Sequence, residues 1–453
     1  MTDAPIIPTS QAILDRLDRE GIDFLWVTYH DYLGRGEAKV LPRQSFAGAV
    51  RDGVVFTYAN LNMDGHDHQA PGATLVGNAG DFLAVPDPRS YAVLPRFPRT
   101  ARMHAHMTTT EGERWAGCPR GRLDAIVDEL AGEGLSVKAA LEPEFYLLKR
   151  GDEGELLPIN LTTMFAQDGL AKAQAVVTEI LDECAGMGIR IPQLGKEYGR
   201  GQYELSIHHG TPIEAVDRYL GARGAINDIA HRNGMVASFM PKVFADWPGN
   251  SLHVHLSVWD AAGSTDLTPS DADTTSLSDI GRWFLGGLLR HARALCGVGS
   301  PSVNSYKRLQ PGTWAPANTY WGFNNRSGLV RIPGTGDRRH LEYRSPDNTA
   351  QPYVLLTALL GAGLDGIRNR IDPGEPFDGD VGQMTSAEAD RLGLEYLPRT
   401  LPEALDALDR DEVIAAALGP DILRHTLAVR RSDLMTYETT VHPWERDLYL
   451  EQI

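Results

Sequence analysis

Four short segments carry residues whose types and spacing suit chemistry on a charged substrate. In LEPEFYL, residues 141–147, Glu142 and Glu144 stand two apart. Side chains alternate along a strand, so both carboxylates share one face while Phe145 and Leu147 take the other. Adjacent carboxylates repel, and a partner must offset that cost. A lone pair of this kind fits a solvated strand face equally well, although the apolar flanks favour a strand inside a core. In EYGRGQYE, Glu197 and Glu204 bracket Gly199 and Gly201, which permit a bend that brings the two carboxylates together. Alone, this segment would read as a flexible acidic loop. In PGNSLHVHLS, the same period of two aligns His253, His255 and Ser257. A single H-x-H is more often a surface or core pair, but here a carboxylate-rich set is available to share it. Finally, Asn304 to Asp347 concentrates Lys307, Arg308, Arg326, Arg331, Arg338, Arg339 and Arg344 around His340 and Glu342. Arginine forks suit bidentate capture of phosphate and carboxylate. Pairing with surface acids would explain any one of these arginines, but poorly explains six.

Together these are five carboxylates, two histidines and an arginine cluster. Such a ligand set favours Mg²⁺ over zinc, and a histidine within it makes Mn²⁺ plausible. Metal ions with arginines equip a site for phosphoryl transfer, where catalysis is largely positioning and charge neutralisation. The sequence has no G-x-x-x-x-G-K-[ST] loop and no G-x-G-x-x-G after a strand, so neither P-loop nor Rossmann chemistry is supported.

The elements that must position these groups sit in a chain of 453 residues, 42% hydrophobic and 23% charged, enough for large cores and more than one domain. A net charge of −17 with no long basic run argues against a nucleic-acid partner. Cys118, Cys184 and Cys296 are scattered and odd in number, which points to packing roles in a reducing, cytoplasmic setting. The start of the chain lacks a signal-like apolar region, and stretches such as Tyr353 to Gly363 are too short to span a membrane. Helical spacing of Ile13, Leu14 and Leu17 predicts a helix over Ser10 to Glu20, followed by a strand in IDFLWVTYHDYLG. Short strands continue to about residue 105, with the prolines of DFLAVPDPRSYAVLPRFP demoting most pieces there to edges or loops. Further on, a helix over Arg122 to Gly132 leads into the strand that carries Glu142. Another helix opens on the capping box Thr211-Pro-Ile-Glu214 and stops at Asn233-Gly234. DAAGSTDLTPSDADTTS reads as an exposed loop, and the chain from Pro352 onward as mostly helical. The expected class is α+β, with a small sheet-rich domain over 1–110 and a large domain over 111–453.

These motifs resemble the glutamine synthetase family. The matching segments are E-P-E-F-Y-L, G-Q-Y-E, M-P-K-x-F…H-x-H-x-S, N-S-Y-K-R-L, N-N-R-S…R-I-P and E-x-R-x-P-D, in family order, running on to the terminal W-E-R-x-x-Y-L. The resemblance implies a β-grasp-like N-terminal domain and a catalytic domain with a curved antiparallel sheet and packed helices. It implies an ATP-dependent joining of an amine to the γ-carboxylate of glutamate through γ-glutamyl phosphate. It also implies a homo-dodecamer of two hexameric rings, each site completed by a neighbour's N-terminal domain. Carried over by position, Glu144, Glu197 and Glu204 would hold one metal, and Glu142, His253 and Glu342 a second. Arg308, Arg344 and the backbone of Gly249 would hold glutamate, and Arg326 and Arg331 would stabilise the transferring phosphoryl group. His255, Ser257 and Arg339 would lie at the nucleotide.

Two departures bear on the acceptor. Ammonia-using members carry a glutamate after R-L-x-P-G, where this chain has Trp314, and an aspartate in the N-terminal domain, where it has Thr57. With both anionic groups missing and an aromatic added, the acceptor is expected to be a primary amine, as in the γ-glutamylmethylamide synthetase and type III branch. Trp314 would make a cation–π contact to it, or else serve as a buried loop anchor. The alternatives are a true glutamine synthetase that recruits Tyr58, Asp64 or Asp67 for ammonium, and a non-catalytic member. A non-catalytic chain would have no reason to keep six candidate ligands together.

Overall fold

The computed structural model describes residues 10–452 except 271–272 and 274–275. The first helix covers Ser10–Arg19 and buries Ile13 and Leu17. It contacts the helix Phe46–Asp52 and shares a core with a six-stranded sheet ordered Gly36–Pro42, Phe24–His30, Thr100–Thr108, Asp81–Pro86 and Val54–Thr57, with Ala92–Val93 also paired to Thr100–Thr108. Phe24–His30 runs parallel to Thr100–Thr108, and the other pairs are antiparallel. Asp81–Pro86 lies between two other strands, not at an edge as its prolines suggested. Pro86 is its last residue, so the missing N–H interrupts no interior rung.

The second sheet has nine strands. Its central path runs Trp321–Phe323, Val330–Ile332, Leu341–Tyr343, Leu252–Asp260, Leu135–Arg150, Gln202–Ser206 and Gln193–Lys196, while Met235–Ser238 and Leu156–Pro158 also pair with Leu135–Arg150. The sheet is antiparallel as expected except at one edge, where Trp321–Phe323 and Val330–Ile332 run parallel. The long strand Leu135–Arg150 fixes everything else. Its Val137, Ala139, Leu141 and Phe145 are buried, whereas Lys138, Ala140, Glu142 and Glu144 turn to the other, partly open face.

The helix Pro212–Arg232 packs against that strand. Its capping box forms as read, with Thr211 accepting from Glu214 N and Glu214 accepting from Thr211 N, and Gly234 beyond its end has φ +67°. The helix Pro119–Gly132 opens earlier than predicted because Cys118 Sγ accepts from Gly121 N at 3.3 Å. All three cysteines are free and buried. The loop expected to be exposed before Asp279–Arg290 is partly packed: Trp259 bridges Asp266, Pro269 bridges Leu277, and Thr268 is buried. Residues 271–272 and 274–275 of that loop lie outside the described residues. From Pro352 the chain is largely helical, and the core runs without a break from the first sheet to these helices. Among the described residues no helix is long and apolar enough to cross a membrane.

The helical layer is pinned by His291, whose Nδ1 lies 2.7 Å from Asp411 and whose Nε2 lies 3.1 Å from Asp365. Burial alone would lower its pKa, but the two carboxylates raise it above its ordinary value. A raised histidine contributes stability below its unfolded pKa and loses it as pH rises through the folded value. His291→Asn should therefore cost about 2 kcal/mol at pH 6, the usual worth of hydrogen bonds to a charged group. Chemical denaturation should show that difference shrinking by pH 9.

Candidate active site

The registers of five strands carry the predicted residues to one face. Glu204 lies directly opposite Glu144, His253 opposite Glu142, His255 opposite Glu342, and Glu342 opposite Arg331. Residues facing each other across a ladder project to the same side, so carboxylate, imidazole and guanidinium form a continuous patch. Glu197 joins from the turn before Gln202–Ser206. There Gly201 adopts φ +74°, and any Cβ on Gly199 would fall 2.0 Å from the Tyr146 hydroxyl. Only glycine allows that turn to close onto the sheet.

Glu142, Glu204 and His253 each place a ligating atom within 4.8 Å of the others. This trio takes members from both ligand sets implied by the resemblance. The Nδ1 of His253 is buried without a hydrogen-bond partner, 3.9 Å from Glu142 and 3.5 Å from Glu342. Burial, followed by the charges of Glu142, Glu144 and Glu197, pushes the Glu204 carboxyl far above its usual range. Burial and Glu144 push Glu197 up to about 7. Burial would raise Glu142 too, but His253 and His255 hold it well below the usual range. An orphaned imidazole nitrogen amid crowded carboxylates fits a divalent cation, with hard oxygen donors and one nitrogen.

The other carboxylates are held by their surroundings. Glu144 accepts from Ser251 N at 2.7 Å, and Glu197 accepts from Tyr198 N at 3.1 Å. Glu342 accepts from Arg331 at 2.8 Å and from Arg344, which keep it ionised although burial opposes this. Arg308 is buried and donates to the carbonyls of Ser345 at 2.8 Å and Arg344 at 2.9 Å, so it braces the strand end that carries Arg344. Gly249 lies against it, where a Cβ would come within 2.7 Å of Arg308 Cγ. Arg326 is exposed on the loop before Val330–Ile332, and among the described residues no hydrogen bond or ion pair ties it to the patch.

A cavity of about 480 Å³ adjoins Glu142 and is lined by His255, Ser257 and Arg339, among others. His255 Nδ1 lies 2.9 Å from His340 Nε2, and Ser257 accepts from the Trp259 indole at 2.7 Å. Its polar rim and size suit a nucleotide-sized ligand.

Trp314 is not a buried anchor: it is 48% exposed and adopts φ +58°. Its ring meets Tyr198 edge to face, centroids 5.1 Å apart, directly beside Glu197. Sequence reasoning missed Tyr198, whose partner lies over a hundred residues away. It also missed Ser206, which donates to Glu142 at 2.9 Å and could have been found two residues beyond Glu204 on the same face. Of the residues considered as substitutes for the missing ammonium carboxylates, Asp64 accepts from His66 N, His68 N and Ser432, and Asp67 pairs with Arg35 at 2.8 Å. Tyr58 packs on Trp115 and Phe82.

Residues 116–449 match the family described as glutamine synthetase, catalytic domain. The glutamine synthetase of Halobacterium salinarum is 32% identical over 453 residues, covering 98% of this chain and 96% of the relative. The glutamate–methylamine ligase of Methyloversatilis universalis is also 32% identical, over 447 residues, 96% of this chain and 98% of the relative. A solved GmaS–ADP complex superposes with a TM-score of 0.86 at 33% identity, over 96% of this chain and 99% of that one. With the family model matching most of the chain and a relative matching nearly all of it, the chain belongs to the glutamine synthetase family.

Proposed function

We propose that this chain is an ATP-dependent ligase that joins the γ-carboxylate of glutamate to a primary amine other than ammonia. The observation that carries the ligase reading is the single sheet face on which Glu142, Glu204 and His253 converge beside Arg331 and Arg344. Glu144, Glu197 and Glu204 would hold one Mg²⁺ or Mn²⁺, and Glu142, His253 and Glu342 another. Such ions, when bound, neutralise charge on the phosphates. ATP would occupy the cavity lined by His255, Ser257 and Arg339.

Arg344, braced by Arg308, and the backbone of Gly249 would orient glutamate so that a γ-carboxylate oxygen faces the terminal phosphorus. As that oxygen bonds to phosphorus, the bridging P–O bond breaks and ADP leaves. Arg326 and Arg331 would draw charge from the phosphoryl group in flight. The amine nitrogen then attacks the γ-carbonyl carbon of γ-glutamyl phosphate, the C–O bond to phosphate breaks, and the nitrogen gives up a proton. Assembly as two stacked hexameric rings belongs to the same proposal.

Trp314 supports the acceptor half. An exposed indole braced against Tyr198 next to Glu197 offers a π face to an alkylammonium, at a position where the local sequence supplies no carboxylate. Ammonia is the competing acceptor, favoured by the glutamine synthetases among the relatives. Against it, both oxygens of Asp64 are engaged within the chain, and Asp67 pairs with Arg35 through Oδ1.

Mn²⁺ should stabilise the protein by roughly 2.7 kcal/mol at a hundredfold excess over its Kd. Thermal melts of Glu204→Gln and His253→Ala should each show that gain reduced, and the double variant should show it abolished. In assays with ATP, Mg²⁺, glutamate and a panel of amines, a primary alkylamine should give a higher kcat/KM than ammonium, and an ammonium optimum would remove the acceptor claim. Trp314→Ala should lower alkylamine kcat/KM about 5- to 30-fold, the equivalent of a cation–π contact of ~1–2 kcal/mol. Trp314→Glu should improve the use of ammonium, and unchanged selectivity would leave Trp314 a merely structural residue.

A further inference from the structure

A second sizeable cavity, about 370 Å³, opens between the six-stranded sheet and the helices Gln174–Gly186 and Pro212–Arg232. None of the residues assigned to the ligase site lines it. Its walls carry Arg16, Arg89, Arg102 and Arg218, with Glu214 and Asp217 as the facing carboxylates.

Most of these charges are settled locally. Arg16 pairs with Glu20 at 2.8 Å, Arg89 with Asp87 at 2.7 Å and Asp124 at 2.8 Å, and Arg218 with Glu214 at 3.5 Å. Glu214 also accepts from Thr211 N at 2.9 Å. Asp217 is taken by Arg120 at 2.8 Å and by the Tyr353 hydroxyl at 2.5 Å.

Arg102 differs from the rest. Among the described residues its side chain makes neither a hydrogen bond nor an ion pair, and its Nε is shielded from solvent with no acceptor. Its backbone is locked between two strands, opposite Trp26 on one side and Ala92 on the other. Gly221 makes room for the head group, since a Cβ there would lie 3.0 Å from Arg102 Nη2. The nearest opposing charge is Asp217, which is already paired with Arg120, so the partly buried Arg102 head group has no ion pair of its own, and leaving a shielded Nε without an acceptor is costly. Here that cost is met at the wall of an open cavity, and a guanidinium fork suits a planar or tetrahedral oxyanion.

We propose that this cavity binds a small oxyanion, carboxylate or phosphate, whose charge pairs with Arg102. The volume admits a metabolite-sized molecule, and with the other three arginines paired to carboxylates the free charge in the wall is that of Arg102. Arg218 also donates to the carbonyls of His208 and His209, which line the larger cavity, so a wall residue of one cavity is bonded to two wall residues of the other.

The test is calorimetry and thermal melting of the full chain in EDTA, titrated separately with inorganic phosphate and with succinate at matched ionic strength. Saturable binding of at least one is expected, with a raised Tm. A response to phosphate alone assigns a phosphate site, and a response to succinate alone or to both assigns a carboxylate or general oxyanion site. The response should vanish in Arg102→Met and in Ala185→Trp, which fills the cavity from an exposed helical position. It should persist in Arg331→Ala, which separates it from binding at the ligase face. No saturable response in the unaltered chain, or an equal response in Ala185→Trp, overturns the proposal even if Arg102→Met fails to fold.

Discussion

Repulsion among carboxylates is the constraint around which this molecule is built. Glu142, Glu144, Glu197 and Glu204 crowd onto one patch where burial weakens the screening that water would give. Left to themselves they would splay apart. The long strand Leu135–Arg150 prevents this by fixing two of them on one pleat, while its neighbours in register bring Glu204 and His253 alongside. The buried face of the same strand, with Val137, Ala139, Leu141 and Phe145, supplies the apolar packing that holds the backbone still. The arrangement therefore stores unfavourable electrostatics in a frame stabilised from behind, and a bound cation would discharge it.

The arginines continue this logic across the sheet. Glu342 is buried yet ionised because Arg331 and Arg344 face it, and Arg308 spends its own donors on the backbone around Arg344. The outcome is a gradient along one face, from carboxylate-rich at Glu204 to guanidinium-rich at Arg331. Such a gradient suits a reaction in which a metal-bound polyphosphate and an anionic amino acid meet.

What the sequence made legible was whatever depends on local period and local backbone. The two-residue spacing at Glu142 and Glu144, and at His253 and His255, gave the right face because pleating is a property of any strand. The turn glycines at 199 and 201 and the capping box at Thr211 were equally local. The errors came where tertiary context decides. Pro86 in an interior strand is tolerated because it sits at the strand's end, and the parallel pairing of Trp321–Phe323 with Val330–Ile332 reflects chain path, not composition. Tyr198 escaped notice because its meaning comes from Trp314, and Thr268 looked exposed because its burial depends on Val258 across the loop.

The two halves of the proposed chemistry rest on different kinds of structure. Every residue assigned to the metals, apart from Glu197, lies on a strand of one sheet, so changing any one disturbs its neighbours in register. Trp314 and Tyr198 instead lie in loops, one held at a left-handed φ and the other exposed on a turn. Substitution there alters the surface offered to the second substrate without touching the ladder that aligns the first. On this proposal, replacing a few loop residues would change the acceptor while the phosphoryl-transfer face stays fixed. Under the proposed function, the exposed pair of Trp314 and Tyr198 would be the physical form that such a change takes in this chain.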